Sequence, residues 1–385
     1  MTKPVYLDYN ATTPVDSRVL EAMMPALTHA FGNPSSETHS LGRQARDMVE
    51  TARGQVAGVI GATAREIIFT SGATESCNLA IKGAAKMYRN RGNHIVVSAV
   101  EHKAVLEPCK RLEQEGLTLT VLRPDSFGAV SAQQISETIT PQTILVCVMM
   151  ANNVTGTINP VEEIGQLCRK RGILFCCDAT QAVGKLAVSV ERIPVDLMAF
   201  SSHKIYGPKG AGALYVRGKR PRVMLAAQID GGGQEHFLRS GTPNVPSIVG
   251  FGMACRLCEE ELGDRPALSS ELRDRLEKGL LAAVPETQVH GHPMQRLPNT
   301  LNLSFKGVDA ALLFRRMPDV AASAGSACES GTSGANYVLR AMGVGDDLAA
   351  GMVRFSVGRF TTEREIDYAV EQVLRSVSEL RSVRA

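Results

Sequence analysis

The chain has 385 residues with 44% hydrophobic content, which is enough to form two packed domains. Its 42 basic and 39 acidic residues give a formal net charge of +3, and without a like-charge run this balance predicts no direct nucleic-acid or membrane-surface partner. No apolar stretch suits a membrane span or an export signal, and nine irregularly spaced cysteines favour a reducing compartment, so we expect a cytoplasmic protein.

Apolar runs and helical patterns alternate along the chain up to residue 216. A Thr-Pro pair favours a first helix over residues 15–24, and a long amphipathic helix is predicted over 43–60. After a strand that starts at residue 66, further strands are predicted at 94–98, 117–122, 144–150, 173–177, 196–200 and 213–216, with helices at 104–115, 132–138 and 161–171. This alternation predicts a mostly parallel sheet with helices on both faces, and ligands bind such sheets beyond the carboxyl ends of the strands.

The pattern changes after an apolar helix predicted over residues 248–262. Beyond Asp264 come a helix with leucines at four-residue spacing, a strand at 299–305, a helix at 310–317 and a last helix that begins with a Thr362/Glu365 capping box. We therefore predict a large domain over 15–263 and a smaller α+β domain formed by 1–14 with 264–385.

Lys204 follows a predicted buried strand and opens a turn rich in glycine and proline. A lysine in a dry pocket loses its proton readily and can attack an aldehyde, although an exposed lysine in a turn is the commoner case. The turn at Ser71 to Thr74 joins a strand to a helix and could cradle an anion, or could be an ordinary helix cap. Asn10 and Ala11 are expected in a loop near this site.

Three more polar residues follow predicted strands of the sheet. Asp178 should be largely buried and so needs a cationic partner, for which the pyridine nitrogen of pyridoxal phosphate (PLP) is suitable. His102 could stack on the ring and move protons, although a lone histidine is more often structural. Gln181 could donate to the ring's phenolic oxygen. The candidates for phosphate contact are Ala73, Thr74, Ser201 and His203.

The smaller domain contributes a loop of small residues over about 322–334, with Cys328 inside it. A thiol on an exposed loop in a reducing compartment is a candidate nucleophile, although it could be incidental. Arg354 alternates with apolar neighbours as a strand residue does, and it could bind a substrate carboxylate or form a structural ion pair. The Cys255/Cys258 pair has redox-motif spacing but falls in a predicted helix, so we expect it to pack there. No metal site is expected.

Several motifs along nearly the whole chain are similar to one known family. They are Tyr6-Leu7-Asp8-Tyr9-Asn10-Ala11-Thr12-Thr13-Pro14, Thr70-Ser71-Gly72-Ala73-Thr74-Glu75, Glu101-His102-Lys103, Asp178-Ala179-Thr180-Gln181, Ser202-His203-Lys204-Ile205-Tyr206-Gly207-Pro208-Lys209-Gly210, Arg239-Ser240-Gly241-Thr242 and Arg354-Phe355-Ser356-Val357-Gly358-Arg359-Phe360-Thr361. Together they resemble the NifS/IscS-type cysteine desulfurases, PLP enzymes of fold type I. The resemblance implies a large domain built on a mostly parallel seven-stranded sheet and a smaller α+β domain.

The same resemblance implies roles for individual residues. Lys204 would hold PLP covalently and later act as the base at the substrate's Cα, assisted by His102. Cys328 would take the sulfur of L-cysteine as a persulfide, leaving alanine, and pass it to an acceptor for Fe–S cluster assembly or for tRNA or DNA thiolation. Asp178 and Gln181 would contact the PLP ring. Ala73, Thr74, Ser201 and His203 would bind its phosphate, Thr242 would join them from the second subunit of a homodimer, and Asn153 and Arg354 would bind the substrate carboxylate.

Two departures from the family pattern bear on the substrate pocket and on the nucleophile. Val154 stands where family members commonly carry an acidic residue, and Glu329 lies beside Cys328. A selenocysteine lyase, or another PLP lyase or transaminase of the same fold, is the alternative within the enzyme class. A sulfur-transfer scaffold with little turnover is the alternative outside it.

Overall fold

The computed structural model describes residues 4–219, 221–324 and 337–382. Its strands in chain order are β1 (Val5–Tyr6), β2 (Ile67–Thr70), β3 (His94–Ser98), β4 (Thr118–Leu122), β5 (Thr143–Cys147), β6 (Leu174–Asp178), β7 (Leu197–Ser201), β8 (Gly212–Val216), β9 (Thr287–His290), β10 (Thr300–Phe305), β11 (Val320–Ala321) and β12 (Met352–Ser356). Its helices are α1 (Ser17–Thr28), α2 (Ser40–Gly58), α3 (Ala73–Met87), α4 (Lys103–Gln114), α5 (Ala132–Thr138), α6 (Val161–Arg171), α7 (Val245–Glu261), α8 (Arg265–Ala283), α9 (Ala310–Arg316), α10 (Tyr337–Ala341), α11 (Asp346–Ala349) and α12 (Glu363–Ser382).

Seven strands form the large sheet, in the order β2-β8-β7-β6-β5-β3-β4. The neighbours from β7 to β4 pair in parallel, whereas β8 runs antiparallel to both β7 and β2. The connection from β7 to β8 explains this exception, because it is too short to carry the crossover that a parallel pair requires. The predicted mostly parallel sheet is confirmed, with one antiparallel strand in its interior.

Helices cover both faces of this sheet, and the alternation of side chains along a strand assigns residues to each face. In β6, Phe175 and Cys177 belong to the hydrophobic cluster shared with α1, α2, α6 and α7. Leu174 and Cys176 belong to the cluster shared with α3 and α4. Because both faces are covered, the central strands are buried throughout, which is why they read as continuous apolar runs.

A second, antiparallel sheet contains β9, β10 and β12. Its core includes Leu276 and Leu280 of α8, Val373 of α12 and also Leu7, so the N-terminal residues pack with the C-terminal part of the chain. β1 extends this contact by pairing in parallel with β11. The domain boundaries drawn after residues 14 and 263 stay a prediction.

The helix termini follow local capping chemistry. The first helix begins at Ser17 rather than at residue 15, because the Asp16 carboxylate caps it by accepting from the Arg18 amide. The predicted capping box of α12 is present, with the Thr362 amide donating to Glu365 Oε2 at 2.8 Å and the Glu365 amide donating to Thr362 Oγ1 at 3.3 Å. Within the described residues, none of the helices combines the length and apolar character needed to cross a membrane.

Candidate active site

A cavity of about 570 Å³ opens where the carboxyl ends of β6 and β7 meet the N-termini of α3 and α4. It brings together ten of the residues predicted from the sequence, which are Ala73, Thr74, His102, Asn153, Asp178, Gln181, Ser201, His203, Lys204 and Arg354. Two predicted residues are not placed in it. Thr242 is exposed in the loop before α7 and does not line the cavity of its own chain, and Cys328 lies outside the described residues.

Lys204 is held at the cavity by the backbone of the N-terminal segment. Its Nζ donates to the carbonyl oxygen of Asn10 at 2.7 Å and to that of Ala11 at 2.6 Å. The turn after it is fixed by Tyr206, which has a left-handed φ of 67° and whose ring lies 4.3 Å from the Arg359 guanidinium carbon. The amine therefore has a defined position at the wall of the cavity.

The N-terminus of α3 forms a cradle suited to an anion. Gly72 precedes the helix with φ 154°, and β8 passes so close that a Cβ at Gly212 would lie 2.5 Å from the Gly72 Cα. Thr74, Ser201 and His203 line this end of the site, where free amides and the helix dipole favour negative charge. The cradle has the properties that a phosphate group requires.

His203 is neutral at physiological pH. Burial, and then the charges of Lys204, Lys209 and Lys185, lower its pKa to about 4. Its Nδ1 lies 3.1 Å from Thr12 Oγ1. A neutral imidazole can still donate one hydrogen bond to an anion, so His203 can contribute to the cradle without adding charge.

Asp178 and His102 occupy another part of the cavity. Asp178 ends β6, is 7% exposed and accepts a hydrogen bond from the Thr180 amide at 2.9 Å. His102 caps α4, because its Nδ1 accepts from the Ala104 amide at 3.1 Å, which leaves Nε2 as the ring nitrogen that carries the proton. Burial lowers the pKa of His102, and the nearby Asp178 charge opposes that shift. The pair places a carboxylate and an imidazole in the same part of the cavity.

Arg354 and Asn153 form the side of the cavity nearest β12. Arg354 is buried, and its guanidinium donates to Asp8 Oδ1 at 2.6 Å and to the Asn153 carbonyl oxygen at 2.9 Å. Arg354 Nε and Asn153 Oδ1 are buried polar atoms with no hydrogen-bond partner among the described residues. The arginine is thus both ion-paired and placed at the cavity, and unsatisfied polar atoms beside it are typical of a site that takes a ligand.

Asp8 and Lys185 contact residues that line the cavity and were missed by the sequence analysis, and Asn10 has a larger role than expected. Besides Lys204, the Asn10 carbonyl oxygen accepts from Gln181 Nε2 at 2.9 Å, and Lys185 Nζ donates to Gln181 Oε1 at 2.6 Å. No local pattern signalled the Lys185 contact, because its segment is a turn and not a helix or strand. The Asp8 pairing likewise had no signal, because its partner is 346 residues away in the sequence.

These residues fit PLP. The α3 cradle suits its phosphate, the Asp178 carboxylate suits its ring nitrogen, and Lys204 offers an amine for its aldehyde. The buried and unpaired Asn153 Oδ1 and the amide of Gln181 offer polar contacts on the same cavity. Among the described residues, no group of three or more His, Cys, Asp or Glu side chains could hold a metal ion.

The eight cysteines within the described residues are free and buried. Cys255 and Cys258 pack in α7, where burial raises the pKa of both thiols. These thiols behave as apolar core residues, as the sequence predicted, and none of them lines the cavity.

Comparison with known proteins gives full-length matches. The model of the family "Aminotransferase class-V" matches residues 5–369. The chain is 50% identical to "Cysteine desulfurase IscS" of Serratia proteamaculans, over 100% of this chain and 95% of that protein. Among solved structures, "NIFS-LIKE PROTEIN" superposes with a TM-score of 0.91 at 38% identity, covering 97% of this chain and 99% of the other.

A second solved structure, "SspA in complex with cysteine", superposes with a TM-score of 0.82 at 36% identity, covering 93% of this chain and 99% of the other. The family match spans both sheets and every described wall of the cavity, and the structural agreement extends over nearly the same length. The chain belongs to the class-V aminotransferase family.

Proposed function

We propose that this protein is a PLP-dependent cysteine desulfurase, which converts L-cysteine to L-alanine and passes the sulfur to an acceptor protein. The observation that carries this proposal is the 50% identity to a cysteine desulfurase over the whole chain. The lysine, aspartate, histidine and arginine that such chemistry requires line one cavity. A related protein of similar structure has been solved with cysteine bound.

Lys204 would hold PLP covalently, with the phosphate in the α3 cradle beside Thr74, Ser201 and His203. Asp178 would pair with the ring nitrogen and keep it protonated, and Gln181 would donate to the ring oxygen. When bound, PLP withdraws electrons from the substrate and so weakens the bonds at its Cα. The chain's own groups then direct which proton moves.

Lys204 would remove and return the proton at the substrate's Cα. The carbonyl oxygens of Asn10 and Ala11 keep its amine at the cavity wall whenever it is not covalently engaged. His102 would assist through Nε2, since its Nδ1 is committed to the Ala104 amide. Positioned acid–base groups of this kind typically contribute about 10² to 10⁴ in rate.

Arg354 would bind the substrate carboxylate. Its guanidinium already contacts Asp8 and the Asn153 carbonyl, which fixes the plane of the group in the cavity wall. A planar guanidinium held in this way can offer its remaining N–H groups to a carboxylate. This contact would orient L-cysteine with its Cα towards Lys204.

Cys328 would receive the sulfur. As the Cβ–S bond of the substrate breaks, its sulfur forms a bond to Cys328 Sγ, and carbon takes up a proton. L-cysteine and the Cys328 thiol thus become L-alanine and a Cys328 persulfide, with no external oxidant. The persulfide sulfur then passes to an acceptor, either an Fe–S cluster scaffold or an enzyme that thiolates tRNA or DNA.

The working form would be a homodimer in the cytoplasm. Thr242 is exposed and outside the cavity of its own chain, which suits a contribution to the phosphate site of a second subunit. Free cysteines throughout the described residues suit a reducing compartment.

Mass spectrometry after a brief exposure to L-cysteine tests this function, with alanine measured in the same sample. We expect a mass gain of one sulfur that maps to Cys328, together with alanine. Cys328→Ala should lose both signals, whereas Cys258→Ala, which removes a buried thiol outside the cavity, should keep them. Pyruvate or transamination products with an unmodified Cys328 would contradict the proposal.

A further inference from the structure

Lys185 contacts Gln181 but does not itself line the cavity. The segment after β6 turns so that the Lys185 and Leu186 amides both donate to the Ala182 carbonyl oxygen, at 3.0 and 2.9 Å. This turn brings Lys185 Nζ within 2.6 Å of Gln181 Oε1 and 3.4 Å of Asn10 Oδ1. Gln181 lines the cavity and Lys185 does not, so Lys185 can influence this part of the cavity through the amide of Gln181.

Two contacts determine which way the Gln181 amide faces. Its Nε2 donates to the Asn10 carbonyl oxygen at 2.9 Å, and its Oε1 accepts from Lys185. Because an amide nitrogen carries two hydrogens, one N–H of Gln181 remains for a ligand. If the amide turned over, it would face the Asn10 carbonyl with an oxygen and Lys185 with a nitrogen, and both contacts would become repulsive.

The surroundings of Lys185 disfavour a charged ammonium. Its hydrogen-bond acceptors are two neutral amides, and no ion pair joins it to a carboxylate among the described residues. Burial of the ammonium, and then the charges of Lys204 and Arg354, lower its pKa to about 7. Lys185 as a whole is half-buried, but an ammonium that loses water without gaining a carboxylate partner is unfavourable for folding, so packing alone does not account for it.

We propose that Lys185 is a positioning residue, which holds Gln181 Oε1 so that the free N–H of Gln181 is presented to the ring oxygen of the cofactor. The proposal rests on the proposed PLP chemistry and adds a residue to it. Lys185 itself contacts neither substrate nor cofactor. Its effect on the reaction passes through the amide of Gln181, so the proposal can be tested by changing either residue.

The test is a pH titration of the visible absorption of the purified, PLP-loaded protein. Loss of a donor to the ring oxygen, or of a nearby positive charge, should raise the pH at which the absorption changes. For Lys185→Met we expect a rise of about one pH unit. Lys86→Met, at an exposed position in the last turn of α3, should keep the wild-type midpoint.

A double-mutant cycle separates positioning from charge. If Lys185 acts through Gln181, then Lys185→Met should add little to the shift that Gln181→Leu produces alone. Lys185→Gln keeps a donor for Gln181 Oε1 without the charge and should stay near the wild-type midpoint. It tests the proposal even if Lys185→Met fails to fold.

Three results would overturn the proposal: an unchanged midpoint in Lys185→Met, shifts that add in full in the double mutant, or a shift in Lys185→Gln as large as that of the methionine variant. Failure of PLP binding would look different, because the wild-type protein itself would then develop no visible band when PLP is added. Failure of the desulfurase reaction alone would appear in the mass-spectrometry test, as an unmodified Cys328, and would leave the absorption midpoints as they are.

Discussion

The cavity has two walls that are held in place by different means. One wall consists of strand ends and the residues just beyond them, including Asp178, Ser201 and Lys204, and its positions follow from the register of buried strands. The other is the N-terminal segment, residues 8–13, which forms no helix and makes only one isolated bridge, from Asp8 to Ser356. Hydrogen bonds to distant residues hold this segment, such as the Thr13 amide to the His203 carbonyl at 3.0 Å.

The difference lies in which atoms each wall contributes. The strand-end wall presents side chains that can do chemistry. The N-terminal segment presents backbone carbonyls that bind Lys204 and Gln181, together with the carboxylate of Asp8 that pairs with Arg354. A reactive group in this cavity is therefore placed by its own strand and then oriented by the segment.

The largest effect is expected when Lys204, which supplies the amine of the strand-end wall, is replaced. Lys204→Ala should abolish the visible absorption that PLP gives with the wild-type protein, and alanine formation should fall by roughly a thousandfold or more, because the proton at Cα loses its base. Absorption spectra and an alanine assay measure both effects, with Lys86→Ala as the exposed control. A variant that kept the wild-type band would contradict the role of Lys204.

A substitution in the N-terminal segment should lower the stability of the protein rather than change its reaction. Asn10→Ala removes the donor to Thr300 Oγ1 and the acceptor of Asn299 Nδ2 but keeps the carbonyl that binds Lys204. We expect the free energy of unfolding to fall by about 2 to 3 kcal/mol, since each of these buried partners loses a hydrogen bond. Urea unfolding of the PLP-free protein measures this loss.

The exposed Gln142 provides the matched control for this variant, and Gln142→Ala should stay close to the wild-type stability. The PLP absorption band of Asn10→Ala should be retained. An unfolding free energy within about 0.5 kcal/mol of wild type, or loss of the band, would show that the side chain of Asn10 does something else.

Arg354 joins the two walls, and a conservative change there tests the contact between them. Arg354→Lys keeps the charge but loses the planar fork that holds Asp8 and a carboxylate together. KM for L-cysteine should rise about tenfold, with a smaller change in kcat. Arg222→Lys, at an exposed position, is the control. A fall in kcat at unchanged KM would argue against a role in binding the carboxylate.

The smallest expected effect is the pH dependence that Lys185 gives to the free energy of unfolding. Its pKa is lowered to about 7 in the folded protein from 10.5, so between these values the unfolded chain binds a proton that the folded chain does not. The free energy of unfolding should therefore rise with pH in this range, by about 1 kcal/mol per pH unit. Urea unfolding of PLP-free protein at pH 7, 8 and 9 should give this slope in the wild type but not in Lys185→Met. Equal slopes in the two proteins would contradict burial of the ammonium.

The strand-end wall could be predicted from the sequence because its information is local. An apolar run fixes a strand, and the polar residue that follows it must lie at the sheet edge, as Asp178 and Lys204 do. The N-terminal segment could not be predicted in the same way. Several of its bonds join backbone carbonyls, which every residue possesses, to side chains 171 to 194 residues away. The antiparallel direction of β8, by contrast, was implicit in the short connection after β7.

The contact between Asn10 and Ser356 also bears on the order in which parts of the chain fold during synthesis. The Asn10 amide donates to Ser356 Oγ at 2.9 Å across 346 residues of sequence. During synthesis, the strands of the large sheet are complete once residue 216 has left the ribosome, whereas Ser356 of β12 is made 140 residues later. Because closing so long a loop is slow, we expect the nascent chain to pass through a stage in which its large sheet is folded and the Asn10–Ser356 contact is not yet made.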